Sequence, residues 1–167
     1  MEQYKWKIRT AEIDELPEIL EIYRTARAFM SANGNGTQWG TEYPKEEVLR
    51  DDIQKRQLYV LTKEKEICGV FALISGEDPT YKRIDGGSWR SDEPYETIHR
   101  IASSGKEKGV FEAAIAFGKS RISHLRIDTH ENNKVMQHLA EKFGFQRRGI
   151  IYVRDGSPRI AFDYIAE

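Results

Sequence analysis

The stretch from residue 97 to residue 128 constrains the fold most. Residues 97–102 are strand-like, residues 103–109 (SSGKEKG) form a polar loop, and Val110, Ala113, Ala114 and Phe117 recur at helical spacing on one apolar face. Gly118 and the basic residues after it end that helix, and residues 125–128 read as a second strand. A strand–helix–strand unit of this length makes its two strands parallel and its crossover right-handed. Any fold for this chain must contain one parallel step.

The rest of the sequence builds around that step with local connections. Residues 7–9 are strand-like, and Asp14 is the expected N-cap of a helix carrying Leu16, Ile19, Leu20, Tyr23 and Met30. Pro17 falls in its first turn, where a missing N–H costs little. A Gly/Asn-rich break at residues 33–36 follows, and Pro44 is expected to open a shorter helix with Val48, Leu49 and Ile53. Runs 57–62 and 67–75, joined by a charged turn, read as an antiparallel hairpin. Residues 76–93 are polar and turn-rich, with 84–89 as a candidate short strand. Met136, Leu139, Ala140 and Phe143 share a helix face that Gly144 closes, and strands at 149–153 and 159–165 end the chain. The expected class is α+β (α/β in looser usage): a mixed, mostly antiparallel sheet with one βαβ step and about four helices. No repeat, linker or low-complexity run divides residues 1–167, so a single domain is expected.

Charge and cysteine content exclude several function classes. The formal net charge is −1, which offers no footprint for nucleic acid or an anionic membrane. Cys68 is the only cysteine, so neither an intrachain disulfide nor a thiolate metal cage is available. Residues 1–7 lack the apolar core of a signal peptide, and no run approaches the ~18 apolar residues that span a bilayer. A cytoplasmic location is the expectation. His130 with Asp128 or Glu131 offers no open tetrahedral site, so no metal is expected.

Chemistry concentrates on the crossover. Gly105 and Gly109, with Lys106 and Lys108 between them, stand just after a strand and just before a helix. Backbone N–H groups converge there and the helix dipole adds positive charge, which suits a phosphate or pyrophosphate. The spacing is neither a Walker loop nor G-x-G-x-x-G, and taken alone a solvated turn is the commoner outcome. His99 lies on the strand before the loop, and histidine titrates near neutrality, so it is a candidate base; a histidine held for structure is the competing reading. Asn133 suits a helix N-cap. Trp39 and Tyr43 can wall a pocket for an amine, since aromatic rings attract cations. Trp89 reads at least as well as core packing.

The strings YETIHRIA (95–102), LRIDTHENN (125–133), EKFGF (141–145) and GIIYV (149–153), with Gln38-Trp39 and Tyr43-Pro44 upstream, resemble one bacterial branch of the GNAT superfamily of N-acetyltransferases. The likeness runs from Ile8 nearly to the C-terminus. It implies that the strands around 98–102 and 125–128 splay apart and that acetyl-CoA wedges between them. Backbone groups of Ile101, Ala102 and Ser103 would pair with the pantetheine arm. Lys106, Lys108, Gly109 and Val110 would surround the pyrophosphate, and the amide of Asn133 would contact the pantetheine region. His99 would accept the proton of the attacking amine, a backbone N–H near Ala102 would face the developing oxyanion, and Trp39 and Tyr43 would cover the acceptor. Two positions depart from the family pattern. Phe111 stands where a tiny residue is usual, either crowding the diphosphate or turning into the core. Ala140 stands where many members carry the tyrosine that protonates the leaving thiolate, with Tyr152 or water as substitutes. The implied activity is acetyl transfer from acetyl-CoA to a primary amine of a small molecule or peptide. The rival reading is a CoA-binding module without efficient transfer. The terminal hairpin, residues 149–165, is a candidate for pairing across a homodimer.

Overall fold

The computed structural model describes residues 6–167; residues 1–5, part of the segment read for a leader, lie outside the described residues. Among the described residues seven strands form one sheet: β1 (Lys7–Thr10), β2 (Leu58–Lys63), β3 (Glu66–Ser75), β4 (Glu96–Ser103), β5 (His124–Thr129), β6 (Gln146–Tyr152) and β7 (Pro158–Ile165). Their spatial order is β1-β2-β3-β4-β5-β7-β6, and only the β4–β5 pair is parallel. Four helices complete the fold: α1 (Leu16–Ala32), α2 (Glu46–Gln54), α3 (Val110–Arg121) and α4 (Lys134–Lys142). This is the α+β arrangement the sequence implies, with α3 as the crossover.

Alternation along each strand sorts side chains onto two faces. Tyr59 and Leu61 of β2 join a core with Ile98, Leu125, Ile127 and Phe162, covered by Phe111, Ala114, Ile115 and Ala140 of α3 and α4. Leu58 and Val60 point the other way, toward Ile19 and Tyr23 of α1 and Leu49 of α2. The β6–β7 end of that second face is covered differently. Tyr81 and Tyr95, from the long β3–β4 connection, pack there on Ile151 and Ala161. The second face therefore has two covers, and the boundary between them runs over β4 and β5. Close approach of α3 to the sheet depends on Gly69, where a Cβ would lie 2.7 Å from Val110 Cγ1.

Element boundaries differ from the sequence reading in three places. Asp14 does not cap α1; it sits inside a 3-10 turn (Ile13–Glu15) that leads into the helix. The capping contact at that turn is made by Glu15, whose carboxylate accepts the Glu12 N–H at 2.8 Å. Pro44 precedes α2 by two residues, after a cis Tyr43–Pro44 bond, and Lys45 is the N-cap. Residues 84–89 form no strand, only a bridge from Asp85 to Ile150, because the segment crosses β6 at one point instead of running beside it. Asn133 does cap α4, its Oδ1 accepting the Met136 N–H at 3.0 Å, and Gly144 follows that helix at φ 96°.

Candidate functional site

Strands β4 and β5 are paired only at Glu96↔Leu125 and Thr97↔Arg126, then part. A bulge causes the parting. Across β3, Val70 faces Ala102 and Ala72 faces His99, so Arg100 and Ile101 share the single partner position of Phe71. Arg100 has φ 55°, a left-handed conformation that costs a non-glycine residue about 1–2 kcal/mol. Bulges bend and twist the strand that carries them, which here swings β4 away from β5.

Three elements hold the bulged residue in place. The Tyr23 hydroxyl of α1 donates to the Arg100 carbonyl at 2.6 Å. The Arg100 guanidinium donates from Nε and Nη2 to the Asp52 carboxylate of α2, each at 2.9 Å. Its Nη1 donates to the Tyr43 hydroxyl at 3.1 Å. Burial pushes the Tyr23 phenol far above its ordinary pKa, so it stays a donor. Sequence reasoning passed over this cluster. The available signal was Asp52, an acid three residues after Leu49 on the buried side of α2, which requires a charged partner.

Beyond Thr97, β4 has no strand partner on its β5 side, and Ile101, Ala102 and Ser103 lie along that opening. An unpaired edge within a sheet accepts an extended chain by strand addition. The loop after it is folded on itself: Gly105 N–H donates to Ser103 Oγ at 3.0 Å and Ser104 N–H to the Cys68 carbonyl at 2.9 Å. Gly109 is the N-cap of α3 at φ 93°, and Ala113 N–H bonds its carbonyl at 3.0 Å. The amides of Val110, Phe111 and Glu112 therefore head an open helix terminus. Lys108 is exposed on the loop, while Lys106 Nζ donates to Glu66 at 2.7 Å. The Phe111 side chain turns into the core beside Phe143, with ring centroids 6.4 Å apart, and so leaves the loop clear. Ala140 is fully buried, and its methyl supplies no proton. Tyr152 stands on β6, two strands from the fork, its hydroxyl donating to Asp85 at 2.8 Å.

The opposite face of the fork carries ionisable groups. One pair past Thr97↔Arg126, His99 of β4 and Asp128 of β5 stand on the same face across the widening gap. His99 Nε2 lies 3.2 Å from Asp78 Oδ2, and Asp78 Oδ1 accepts the Thr80 N–H at 2.9 Å and its hydroxyl at 2.7 Å. Burial works against ionisation of Asp78, but the hydrogen bonds from His99 and Thr80 outweigh it and hold the carboxyl at about 2. An ionised carboxylate can only accept, so Nε2 is the donor to Asp78, and in the neutral ring Nδ1 holds the lone pair. Tyr81 donates to Asp128 Oδ2 at 2.6 Å, its ring centroid 6.2 Å from that of His99. The α1–α2 connection covers this face. Trp39 packs between Tyr23 and Tyr43, centroids 5.7 and 6.3 Å away, and Gln38 Oε1 accepts from the His130 N–H and Asn133 Nδ2, each at 3.3 Å. Tyr43 thus ties the connection to the β4 arm and Gln38 ties it to the β5 side. Trp89 packs instead, donating from Nε1 to the Tyr81 carbonyl at 2.8 Å with Arg126 stacked 4.0 Å from its ring.

Neither a protein-family model nor a curated protein matches the sequence. Solved structures do. A GNAT-family acetyltransferase from Streptococcus agalactiae 2603 is 31% identical over 97% of this chain and 96% of its own, with a TM-score of 0.86. The chain belongs to the GNAT family of acetyltransferases. A GNAT-family acetyltransferase from Listeria monocytogenes 4b F2365 shares the fold at 16% identity (TM-score 0.72, covering 96% of this chain and 94% of that one). So does a GNAT phosphinothricin acetyltransferase from Sinorhizobium meliloti, solved with AcCoA, at 15% identity (TM-score 0.64, 98% and 90% covered). In this GNAT chain the predicted residues divide between two sides of one strand. Ile101, Ala102, Ser103 and the loop to Val110 follow the β4 edge and the α3 terminus; Asn133 heads α4 at the end of β5; His99, Trp39 and Tyr43 belong to the face under α1 and α2.

Proposed function

We propose that the protein transfers the acetyl group of acetyl-CoA to a primary amine, with acetyl-CoA along the free edge of β4 and the amine entering beside His99. The observation that carries this reading is the fork itself. It leaves one strand edge unpaired and sets His99, with Asp78 against it, two residues past the last strand contact at Thr97. Acetyl-CoA supplies an activated acyl carbon when bound. Ile101, Ala102 and Ser103 offer it backbone groups, the loop through Lys106, Lys108, Gly109 and Val110 receives its pyrophosphate, and Asn133 meets its pantetheine region. The protein's remaining task is the proton. An ammonium has no lone pair, and His99 Nδ1 takes its proton directly or through water, with Asp78 as the positioning residue that fixes the tautomer. Trp39 and Tyr43 wall the acceptor. Ala140 supplies no proton and Tyr152 stands two strands away on β6, so water protonates the departing thiolate. No metal takes part. The chain acts as one domain in the cytoplasm, with the terminal hairpin, residues 149–165, as its candidate surface for a homodimer; no helix among the described residues is long and apolar enough to cross a membrane.

Release of the CoA thiol in the presence of a panel of amines tests the reading. His99→Gln should lower kcat/KM by roughly 10²–10⁴-fold and remove the acid limb of its pH profile, leaving acetyl-CoA affinity within about threefold. A glutamine variant with parental rate and profile would make His99 a packing residue. The buried Ala140 favours a second reading, a CoA-binding module that turns over poorly. Tight acetyl-CoA binding without product from any amine would select that one.

A further inference from the structure

The acceptor face holds a buried cation that makes no ion pair among the described residues. Arg159 opens β7 and is 8% exposed. Its Nη1 donates to the Pro158 carbonyl at 2.9 Å and its Nη2 to the Gln38 carbonyl at 3.3 Å. Guanidinium has five N–H donors, so most of them are unused. Among the described residues no carboxylate lies within ion-pair distance of it and no aromatic ring stacks on it; the exposed Asp155 carboxylate on the β6–β7 turn feels its charge from further away. Its neighbours in similar settings are all compensated. Arg100 is clamped to Asp52, Arg90 donates to Asp163 at 2.7 Å, and Arg126 lies 4.0 Å from both the Trp89 and Tyr95 rings. A buried charge with only two carbonyl partners is costly unless something else supplies the counter-charge.

Strand register says where that counter-charge belongs. Asp128 pairs with Ala161 and Thr129 with Ile160, so Arg159 shares a face with Asp128, one pair nearer the open end of the fork. That step along a strand is roughly 6–7 Å. His130 stands beside it, and its pKa is lowered by burial and then by the Arg159 charge, which places the guanidinium close by. Asp128 accepts only the Tyr81 hydroxyl and is partly open to solvent. The face thus presents a carboxylate opposite His99 and, a few ångströms further out, a guanidinium without an ion-pair partner.

We propose that the acceptor is a small amino acid, its ammonium received by Asp128 and delivered to His99, and its carboxylate gripped by Arg159. This deepens the proposed function and rests on it for the position of the amine. Arginine suits the task because its planar fork takes a carboxylate bidentately, and here the carboxylate would complete the donors that the protein leaves unused. The Gln38 carbonyl holds the guanidinium from the side of the α1–α2 connection.

The test uses the twenty common amino acids, β-alanine and 4-aminobutyrate, each beside its carboxamide, with acetyl-CoA as donor. For the best acid, kcat/KM should exceed that of its amide by 10²-fold or more. Arg159→Met should lower the acid's kcat/KM by about 10²-fold, mainly through KM, and leave the amide's within threefold. Arg159→Lys should recover part of the loss. Acid and amide used equally by the parent, or equal losses for both in Arg159→Met, would overturn the proposal and make Arg159 a strut for the α1–α2 connection. Thermal shift with the same compounds in the presence of CoA separates this from failure of the transfer reading. An acid-specific, Arg159-dependent shift without turnover keeps the Arg159 site and removes the chemistry. Neither turnover nor a shift with any acid removes the Arg159 site.

Discussion

The two sides of β4 are built on different principles. Toward the loop and α3, the strand offers main-chain groups: an unpaired edge, a glycine at φ 93° and an open helix terminus, with Lys106 diverted to a surface pair with Glu66. Toward α1 and α2 it offers side chains, each oriented by another: His99 by Asp78 and Arg100 by Asp52 and Tyr43, with Asp128 of β5 beside them oriented by Tyr81. A site made of backbone tolerates side-chain change and fails when the backbone path is altered. A site made of oriented side chains fails when one partner is removed. The departure at Phe111 sits on the tolerant side, its ring turned into the core away from the loop.

The largest effect should come from the Arg100 anchor. Asp52→Ala leaves a buried guanidinium without its carboxylate, and breaking a buried pair from one side typically costs about 3–5 kcal/mol. Urea unfolding should show a loss of that size, with the bulge at Arg100 released. Asp52→Leu combined with Arg100→Met should recover much of the stability, because the unpaired charge is gone, but not the activity, because Tyr43 loses its partner. If Asp52→Ala unfolds within 1 kcal/mol of the parent, the acceptor side does not depend on oriented pairs.

On the opposite side the contrast lies between backbone and side chain within one loop. Gly109→Val forces a β-branched residue into a left-handed conformation and sets it at the helix terminus. Acetyl-CoA should bind at least tenfold more weakly by calorimetry, with about 1–2 kcal/mol lost from stability. Lys106→Ala, which removes an exposed ion pair, should change affinity by less than about threefold. Equal losses for the two variants would mean that lysine charge, and not main chain, holds the pyrophosphate.

The backbone side of the site was the legible one. Its glycines, its loop and the apolar face of α3 are local signals, and the parallel orientation of a strand–helix–strand unit follows from the length of its connection. Asn133 as the cap of α4 was legible for the same reason. The side-chain side was not, because its pairs join distant positions: Arg100 with Asp52 is 48 residues apart, Tyr23 with Arg100 is 77 and Arg159 with Gln38 is 121. No period or spacing in the sequence predicts such pairs. The bulge at Arg100 was equally hidden, since nothing about arginine favours φ 55° and only its three partners make that conformation stable. His99 was visible as a residue type, but Asp78 comes from the polar connection that read only as loop.

The smallest effect belongs to that Asp78–His99 pair, and its pH dependence has a definite sign. Asp78 is held at about 2 against an ordinary value of 3.8. A carboxyl whose folded pKa is depressed contributes stability that is fully present above its unfolded pKa and is lost as pH falls through the folded one. The window is therefore between about pH 4 and pH 2. The carboxyl keeps partial contact with solvent, which screens the interaction, so its worth is on the order of 1 kcal/mol. Asp78→Asn should be destabilised by about that amount at neutral pH, and the gap from the parent should close on acidification through this window. At neutral pH the same variant should lose more in kcat than in stability, because an asparagine oxygen can still accept from Nε2 but supports the imidazolium poorly. A variant that loses stability while keeping the parental kcat would show that Asp78 secures the β3–β4 connection alone, and that His99 finds its orientation without it.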